Sequence, residues 1–363
     1  MNSKRLLADV RVIDLSQYIP GPFATRQLAD LGAEVIKIEP PGGDPMRFFM
    51  HTAKDELSPI YRHLNRGKRI CQLDLKSESD REALLALLAD ADILLESFRP
   101  GVLARLGLGP DRLAQVNPGL IHCALSGYGQ TGPYARRAGH DINYCALSSQ
   151  SIVSGTAKQP VIGYPPIADH AAAMQASIAM LAALHARAGN PGSIYLDISM
   201  TESILSWQYL PILTQSGERA TSILSGGAAC YNLYQCADGG FISLGAIETA
   251  FWKNFCDALD KPEWIDRQFE LMPQKALIAE VNAVISSHPR QHWCNLLDNV
   301  DCCFEALLDT NELTQQAQFV SRGALTENGP TYPARINNQP VDITIEVEEI
   351  TSCDQLHWNS KDS

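Results

Sequence analysis

Three short segments carry polar and titratable side chains that an apolar core does not need. Residues 139–144 are Gly-His-Asp-Ile-Asn-Tyr, residues 168–170 are Ala-Asp-His, and residues 245–249 are Gly-Ala-Ile-Glu-Thr. A histidine and an aspartate on opposite faces of a bound carbon atom would supply two acid–base groups, and partial burial can bring both pKa values toward neutrality. A helix beginning behind His140 and Asp141 would also offer backbone N–H groups to a developing oxyanion. These segments therefore indicate acid–base chemistry.

Each of these residues also has a purely structural interpretation. Asp141 and Asp169 are both well placed as helix N-caps, a role that explains most aspartates at such positions. Glu248 follows an apolar strand where a helix should begin, so it could complement the helix dipole. His140 could be an ordinary surface histidine. Spacing alone leaves both interpretations open, because it matches no recognised metal or catalytic-triad pattern.

Metal and nucleotide cofactors are not predicted. The ten cysteines contain no C-x-x-C pair and mostly lie in apolar runs, which indicates reduced, buried thiols. The nine histidines show no H-E-x-x-H or similar pairing, and no G-x-G-x-x-G or G-x-x-x-x-G-K-[ST] sequence is present. The sequence thus favours chemistry without a metal, a nicotinamide or a bound nucleoside triphosphate.

The first part of the chain alternates strand and helix patterns. A helix over 23–31, opening at Pro20-Gly21-Pro22, a helix capped by Ser77, and an Ala-rich helix over 171–187 are predicted, with a further helix near 201–213. Such alternation predicts an α/β fold with a mostly parallel sheet and ligand sites beyond the carboxyl ends of its strands. The predicted strands are 10–15, 34–39, 69–75, 93–95, 120–125 and 193–198.

The next part of the chain has a different residue pattern. Residues 230–236 and 241–244 flank Asp238-Gly239-Gly240, a hairpin signal, and helices are predicted near 251–259, 275–287 and 291–297. We predict a large domain over 1–200, with a possible C-terminal return over 324–363, and a smaller α+β domain over 217–323. The tail, 344–363, has no strong pattern and is expected to be loosely ordered.

Net charge and hydropathy limit the kinds of partner that the sequence predicts. The 363 residues include 29 Lys and Arg against 41 Asp and Glu, giving a net charge of −12. This balance disfavours nucleic acids and anionic membranes. The longest apolar stretch, 171–184, is short and rich in alanine, and the first residues lack a long apolar run. The sequence therefore predicts a cytoplasmic protein with no membrane partner.

Taken together, several motifs make the chain resemble the family III CoA-transferases, the CaiB/BaiF superfamily. The segments 139–144 and 245–248 are similar to its racemase branch in particular. The shared motifs are VIDLS at 12–16, PGPF at 20–23, LADLGAEVIKIE at 28–39, NRGKR at 65–69, LDLK at 73–76, ESFRPGV at 96–102 and LSGYGQ at 125–130.

This resemblance implies a Rossmann-like large domain, a smaller domain and an interlocked homodimer that acts on acyl-CoA thioesters. No cofactor is tightly bound, since coenzyme A is part of the substrate. His140 and Asp169 match the two acid–base residues, Glu248 matches a glutamate that partners the histidine from the other subunit, and Asp141 matches the residue whose backbone amide faces the thioester oxygen. The residues implied for the CoA site are Leu73, Asp74, Leu75, Lys76, Arg99, Gly139, His140, Asp141, Ile142, Asn143 and Tyr144.

Two reactions fit the resemblance. One is racemisation of 2-methylacyl-CoA thioesters by α-proton exchange through an enolate-like intermediate. The other is CoA transfer between carboxylic acids, with Asp169 as a nucleophile that forms an anhydride and then an aspartyl-CoA thioester. His140 and Glu248 favour the racemase. The chain departs from the family pattern at Pro40, where racemases often carry an arginine, and after Gly323.

Overall fold

The computed structural model describes residues 5–50, 57–189, 192–351 and 355–359, which form two compact units. The first unit comprises 1–148, 163–207 and 315–363, and the second comprises 149–162 and 208–314. The predicted domain limits, 1–200 and 217–323, describe parts of the chain that fold independently. That property stays a prediction. Cys353, one of the ten cysteines, lies outside the described residues.

The strands of the first unit form one large sheet, as the alternating pattern predicted. Every hydrogen-bonded pair in it is parallel, and its order is β14-β3-β2-β1-β4-β5-β6. The strands of the structure are β1 Arg11–Leu15, β2 Glu34–Glu39, β3 Lys68–Gln72, β4 Ile93–Glu96, β5 Ile121–Ser126, β6 Ile194–Ser199, β7 Tyr231–Gln235, β8 Phe241–Gly245, β9 Phe304–Ala306, β10 Leu325–Thr326, β11 Gly329–Pro330, β12 Arg335–Ile336, β13 Gln339–Pro340 and β14 Glu348–Ile350.

Helices cover both faces of this sheet because its strands are apolar on both sides. One face packs on α1 and the Ala-rich α8, and the other packs on α3 to α5. The helices are α1 Pro20–Asp30, α2 Pro59–Asn65, α3 Glu78–Ala89, α4 Val102–Arg105, α5 Pro110–Val116, α6 Asp141–Leu147, α7 Gln150–Val153, α8 Ile167–Arg187, α9 Met200–Leu205, α10 Tyr209–Thr214, α11 Thr249–Ala258, α12 Lys275–Ile285, α13 Arg290–Leu297 and α14 Ala317–Arg322.

The order of the strands creates a natural binding position. From β1 the chain builds outward through β2 and β3 on one side, then crosses back to β4 and continues through β5 to β6 on the other. The connections after β1 and β4 therefore leave the sheet in opposite directions, which opens a crevice between their carboxyl ends. This crevice is where ligands bind in doubly wound α/β folds.

Several local predictions need correction. Strand β3 ends at Gln72 rather than near Leu75, and the helix expected over 201–213 is broken into α9, a 3-10 turn and α10. Ser77 occupies the N-cap position of α3, but among the described residues its side chain makes no capping bond and contacts Ser79 instead.

The C-terminal tail contains an ordered edge strand, so the expectation of a loosely ordered tail was wrong for residues 348–350. Strand β14 pairs in parallel with β3, with Glu348 opposite Arg69. Arg69 also approaches the Glu348 carboxylate at 3.4 Å, and Arg47 approaches that of Glu349 at 2.9 Å. Backbone pairing, these charges and the burial of Ile350 in the core fix this segment.

Helix α8 is longer than expected, with 21 residues. By length and composition alone it could cross a membrane. Most of its alanines and Met180, however, are buried in the core against α1 and the sheet, and Ala172, Ala173, Ala176 and Met180 are fully inaccessible. The small side chains allow close packing, so α8 behaves as the central helix of this core.

The second unit has a core of its own. The predicted hairpin is present, with β7 and β8 antiparallel and Gly239 at a φ of 85°, and β9 pairs with β8. Helix α11 supplies Trp252 and Phe255 to this core, α12 supplies Val281, and α13 supplies Trp293. The unit is therefore α+β, as its sequence pattern indicated.

Candidate active site

A cleft of about 340 Å³ lies within the first unit at the crevice between β1 and β4. The loops that follow β1, β4 and β5 form its floor and walls, and the segment before α6 and the first turn of α8 close it. It brings together His140, Tyr144, Gly139, Asp169 and Arg99 of the residues predicted from sequence. The lining residues are Gln17, Tyr18, Pro20, Ser97, Phe98, Arg99, Pro100, Ser126, Gly127, Tyr128, Ala135, Arg137, Ala138, Gly139, His140, Tyr144, Asp169 and Met200.

His140 occupies the N-cap position of α6 with an exposed side chain. Its backbone N–H donates to Asn143 Oδ1 at 3.0 Å, which fixes the entry of the chain into the helix. The imidazole meets the ring of Tyr18 edge to face, with ring centroids 6.3 Å apart. The imidazole is thus presented at the cleft, where a bound ligand can reach it.

Asp141 and Asp169 are not the N-caps that their positions in sequence suggested. Asp141 is the first residue of α6, and Asp169 lies in the first turn of α8, whose N-cap is Pro166. A proline side chain has no acceptor for the free N–H groups of the helix start. Asp141 Oδ1 supplies it from another helix, accepting from Ala168 N at 2.6 Å and from Asp169 N at 3.1 Å.

This arrangement joins the two predicted acid–base segments through one carboxylate. Asp141 ties the start of α6 to the start of α8, and its remaining oxygen accepts from Cys145 Sγ at 3.6 Å. Because the Asp169 N–H is one of the donors, the backbone of Asp169 is held in place by the residue next to His140. Hydrogen bonds between residues 27 and 28 positions apart thereby join the two segments, and both His140 and Asp169 line the cleft.

The environment of Asp169 favours the protonated form of its carboxyl group. Burial of the carboxyl disfavours its charged form, and the Asp141 carboxylate nearby adds repulsion, so the pKa of Asp169 rises from 3.8 to about 7. A group with a pKa near the working pH can both release and accept a proton at low cost. A residue that only capped a helix would need no such environment.

Tyr144 forms the buried wall behind His140. Its hydroxyl donates to Gly139 O at 2.6 Å, and its ring packs edge to face on Tyr128 at 5.1 Å. Burial, with the neighbouring Tyr128, raises the pKa of Tyr144 to about 12, so the hydroxyl stays protonated. A Cβ on Gly139 would lie 2.7 Å from the Tyr128 hydroxyl, which explains the glycine before His140.

The loop after β4 presents Arg99 to the cleft. Glu96, the last residue of β4, accepts from Phe98 N at 2.6 Å, and Ser97 Oγ accepts from Gln17 N at 3.1 Å. The first bond shapes the β4 loop, and the second joins it to the β1 loop across the crevice. The side chain of Arg99 is exposed rather than packed in the core. Its guanidinium is therefore available to an anionic group of a ligand.

Other residues predicted for the CoA site lie elsewhere in the first unit. Leu73, Asp74, Leu75 and Lys76 follow β3, two strands from β1, and the side chain of Leu73 is buried in the core. Asp74 accepts from Lys76 N at 3.0 Å, which leaves the Lys76 side chain exposed. Ile142 and Asn143 are exposed on α6. Their contacts with CoA stay predictions, and Leu73 could contribute only its backbone.

Glu248 belongs to the second unit. It is exposed at the N-cap position of α11, and among the described residues its carboxylate accepts no capping bond from that helix. Its partnership with His140 stays a prediction. Within the described ranges, no group of three or more His, Cys, Asp and Glu side chains is arranged to hold a metal ion.

Most of the lining residues were not predicted as site residues, and three of them show why. Gln17, Tyr18 and Ser97 lie in loops after β1 and β4, and their residue types are common in loops generally. The only signal available was their position just beyond two predicted strands. Without the strand order, nothing indicated that these two loops face each other across the crevice.

The fold and cleft define a doubly wound α/β protein with paired acid–base groups and a cationic side chain at the switch point of its sheet. The model of CoA-transferase family III matches residues 7–350, and the chain belongs to this family, as its motifs predicted. Its relatives have different reactions in their names. The chain is similar to the α-methylacyl-CoA racemase of Mus musculus, with 33% identity over 91% of this chain and 84% of that protein. It is also similar to the acetyl-CoA:oxalate CoA-transferase of Acetobacter aceti, with 31% identity over 90% and 88% of the two chains.

A solved structure supports the fold. A CaiB/BaiF family protein from Brucella suis superposes with a TM-score of 0.81 at 25% identity, covering 95% of each chain. The chain is therefore an enzyme of the family III CoA-transferase superfamily, in which racemases and transferases share one architecture.

Proposed function

We propose that this protein exchanges the α-proton of 2-methylacyl-CoA thioesters and so interconverts their two configurations at that carbon. The observation that supports this most is the pairing, in one cleft, of an exposed His140 with an Asp169 whose pKa is about 7. Inverting the configuration of the α-carbon with two groups needs a proton acceptor on one face of that carbon and a proton donor on the other. His140 would be the group on one face, and Asp169, with its pKa near neutrality, the group on the other.

In the proposed reaction, His140 takes the α-proton and the C–H electron pair moves into the thioester to form an enolate. Asp169, in its protonated form, then donates its proton to the opposite face, and the carbonyl is restored. His140 ends protonated and Asp169 ends ionised, and exchange with solvent resets both. The reverse direction exchanges the two roles.

Two other features would assist this chemistry. The amides of Asp141 and Ile142 lie in the first turn of α6, where no preceding carbonyl accepts from them, so they are suited to an oxyanion. Arg99 would contact a phosphate or another anionic part of coenzyme A. Coenzyme A enters here as part of the substrate, and no resident cofactor is proposed.

The second candidate is CoA transfer with Asp169 as the nucleophile, favoured by the similarity to the Acetobacter aceti transferase. The same carboxylate could attack a thioester carbonyl, forming an acyl-aspartyl anhydride and releasing the CoA thiolate. The thiolate then attacks the aspartyl carbonyl of the anhydride, which gives an aspartyl-CoA thioester and frees the original acid as its carboxylate. A pKa of about 7 would leave much of this group protonated at neutral pH, which lowers the fraction of nucleophilic anion. We therefore place this reaction second.

The two reactions are separated by incubating the wild-type protein with one epimer of a 2-methylacyl-CoA in heavy water. We expect deuterium at the α-carbon and both epimers in the product by chiral chromatography and mass spectrometry, without any acceptor acid. Rapid quench and hydroxylamine trapping should leave Asp169 unmodified in peptides covering 167–174. A trapped adduct at Asp169, with CoA passing to oxalate or succinate and no deuterium incorporated, would establish the transferase instead.

We further propose that the active unit is an interlocked homodimer in which Glu248 reaches His140 of the other subunit. Complementation tests this directly. His140→Ala and Glu248→Ala should each be inactive alone, whereas co-expressed chains should recover about a quarter of wild-type activity, because half the dimers are mixed and each mixed dimer keeps one intact site.

The control for this experiment keeps His140→Ala and replaces Glu248→Ala by a variant of the same cleft. Co-expression of His140→Ala with Asp169→Asn should recover nothing, since these two residues line one cleft of one chain. An active monomer by light scattering, or no recovery in the His140→Ala and Glu248→Ala mixture despite mixed dimers, would exclude the proposed exchange of Glu248 between subunits.

A further inference from the structure

Tyr18 has a backbone conformation that its side chain disfavours. It follows β1 with a φ of 64°, in the left-handed region, where a bulky residue other than glycine is a genuine outlier. Its ring is 46% exposed at the cleft. The strained backbone costs free energy, and burial of a ring that is half exposed recovers little of it. Packing in the core therefore gives no reason for a tyrosine at this position.

Side chains from three elements hold the backbone on either side of Tyr18. The carbonyl of Ser16 accepts from Lys37 Nζ at 2.8 Å, and the N–H of Tyr18 donates to Asp44 Oδ1 at 3.3 Å. Between them, the N–H of Gln17 donates to the Ser97 hydroxyl across the crevice. Three consecutive residues are thus each fixed through one backbone group.

The two charged side chains that bind this backbone, those of Lys37 and Asp44, are themselves held in place. Lys37 Nζ lies 2.9 Å from Asp44 Oδ2, and both side chains are completely buried. A buried ion pair without free rotation is a rigid support, because moving either partner would leave a charge unpaired in the core. Strained conformations persist where the surroundings determine them in this way, and they concentrate at functional sites.

The ring of Tyr18 is directed by this support toward His140. The two rings meet edge to face, with an interplanar angle of 80°. His140 has an exposed side chain at a helix N-cap, where its backbone is fixed but its imidazole would otherwise rotate freely. An aromatic neighbour that cannot move would limit that rotation.

We propose that Tyr18 is a positioning residue for His140: the strained loop after β1 holds its ring against the imidazole and so orients the imidazole toward the reacting carbon. The kinetic part of this proposal rests on the proposed α-proton exchange. The orientation of His140 itself does not, and it can be measured without substrate.

The test compares Tyr18→Gly with Tyr18→Phe. Glycine adopts a φ of 64° freely, so the Gly variant should unfold at a temperature no lower than the wild type. Its α-proton exchange should nonetheless fall about threefold to tenfold in kcat, the size expected for losing one aromatic pair. Tyr18→Phe keeps the ring and should retain kcat, and Tyr18→Asn, which also tolerates this backbone, should behave like the Gly variant.

Histidine NMR supplies the readout that does not depend on activity. The His140 ring resonances, assigned by comparison with His140→Ala, should carry a ring-current shift in the wild type and in Tyr18→Phe, and should lose it in Tyr18→Gly. A His140 spectrum unchanged in Tyr18→Gly would overturn the proposal, as would an unchanged kcat. If the wild type shows no α-proton exchange at all, the proposed function fails, and the spectra still decide the role of Tyr18.

Discussion

Replacing Asp169 by asparagine should reduce α-proton exchange by about 10²- to 10⁴-fold, the range expected when a general acid–base group is removed. An amide has nearly the same shape as the carboxyl but cannot release or accept the proton at neutral pH. The backbone N–H of residue 169 would still donate to Asp141, so the start of α8 should be unchanged. Mass-spectrometric exchange rates in heavy water measure the effect.

The same substitution should increase stability at neutral and alkaline pH. The pKa of Asp169 is raised in the folded protein from 3.8 to about 7, so the folded state favours the protonated form. Its stabilising contribution is complete below pH 4 and is lost as the pH rises through about 7. The Asn variant avoids this loss, and its advantage in the free energy of unfolding should grow between these values and then level off, reaching a few kcal/mol at most.

Asp90→Asn is the matched control, since Asp90 is exposed at the end of α3 and away from the cleft. It should change neither exchange nor the pH dependence of unfolding. Urea titrations at several pH values compare the three proteins. Full exchange in Asp169→Asn would remove this residue from the mechanism. A pH-independent stability difference from the wild type would show that its carboxyl is not perturbed as described.

Replacing His140 by alanine should lower exchange by a similar factor, about 10²- to 10⁴-fold, while binding of CoA esters persists. The side chain is exposed and its backbone bond to Asn143 does not involve the ring, so α6 should keep its start. Affinity for a CoA ester, measured by calorimetry, should change little, because Arg99 and the backbone amides remain. Added imidazole should restore part of the exchange by occupying the vacated space.

His185→Ala controls for the loss of an exposed histidine, since His185 lies in the last turn of α8. It should exchange at the wild-type rate. In the wild type, the direction that needs a protonated Asp169 should slow as the pH rises through about 7, since that is where its carboxyl ionises. Unchanged exchange in His140→Ala, or lost CoA-ester binding with lost exchange, would contradict the role assigned to His140.

The elements of this fold could be predicted where short-range patterns determine them. Strand β2 has the predicted limits, 34–39, because a run of apolar residues is stopped by Pro40-Pro41-Gly42. The hairpin of β7 and β8 followed from Asp238-Gly239-Gly240 for a similar reason. Residue types likewise indicated His140 and Asp169, since titratable groups beside a glycine or before an alanine-rich helix have few reasons to occur in a core.

Long-range contacts decided the rest. Asp141 and Asp169 each matched a local capping pattern, yet Asp141 caps the helix that carries Asp169, which no local window contains. Strand β14 has only three residues, Glu348–Ile350, too few to show a pattern of their own, and it is ordered by pairing with β3.

The sequence by itself therefore determined the β/α alternation, the family and the candidate acid–base residues, because turn chemistry and apolar periodicity act within about ten residues. Only the tertiary structure decided that the loops of β1 and β4 face each other, that Asp169 is buried beside a second carboxylate, and that Tyr18 meets His140. Burial, electrostatic repulsion and ring contacts depend on distances between groups, and those distances exist only once the sheet has brought remote segments together.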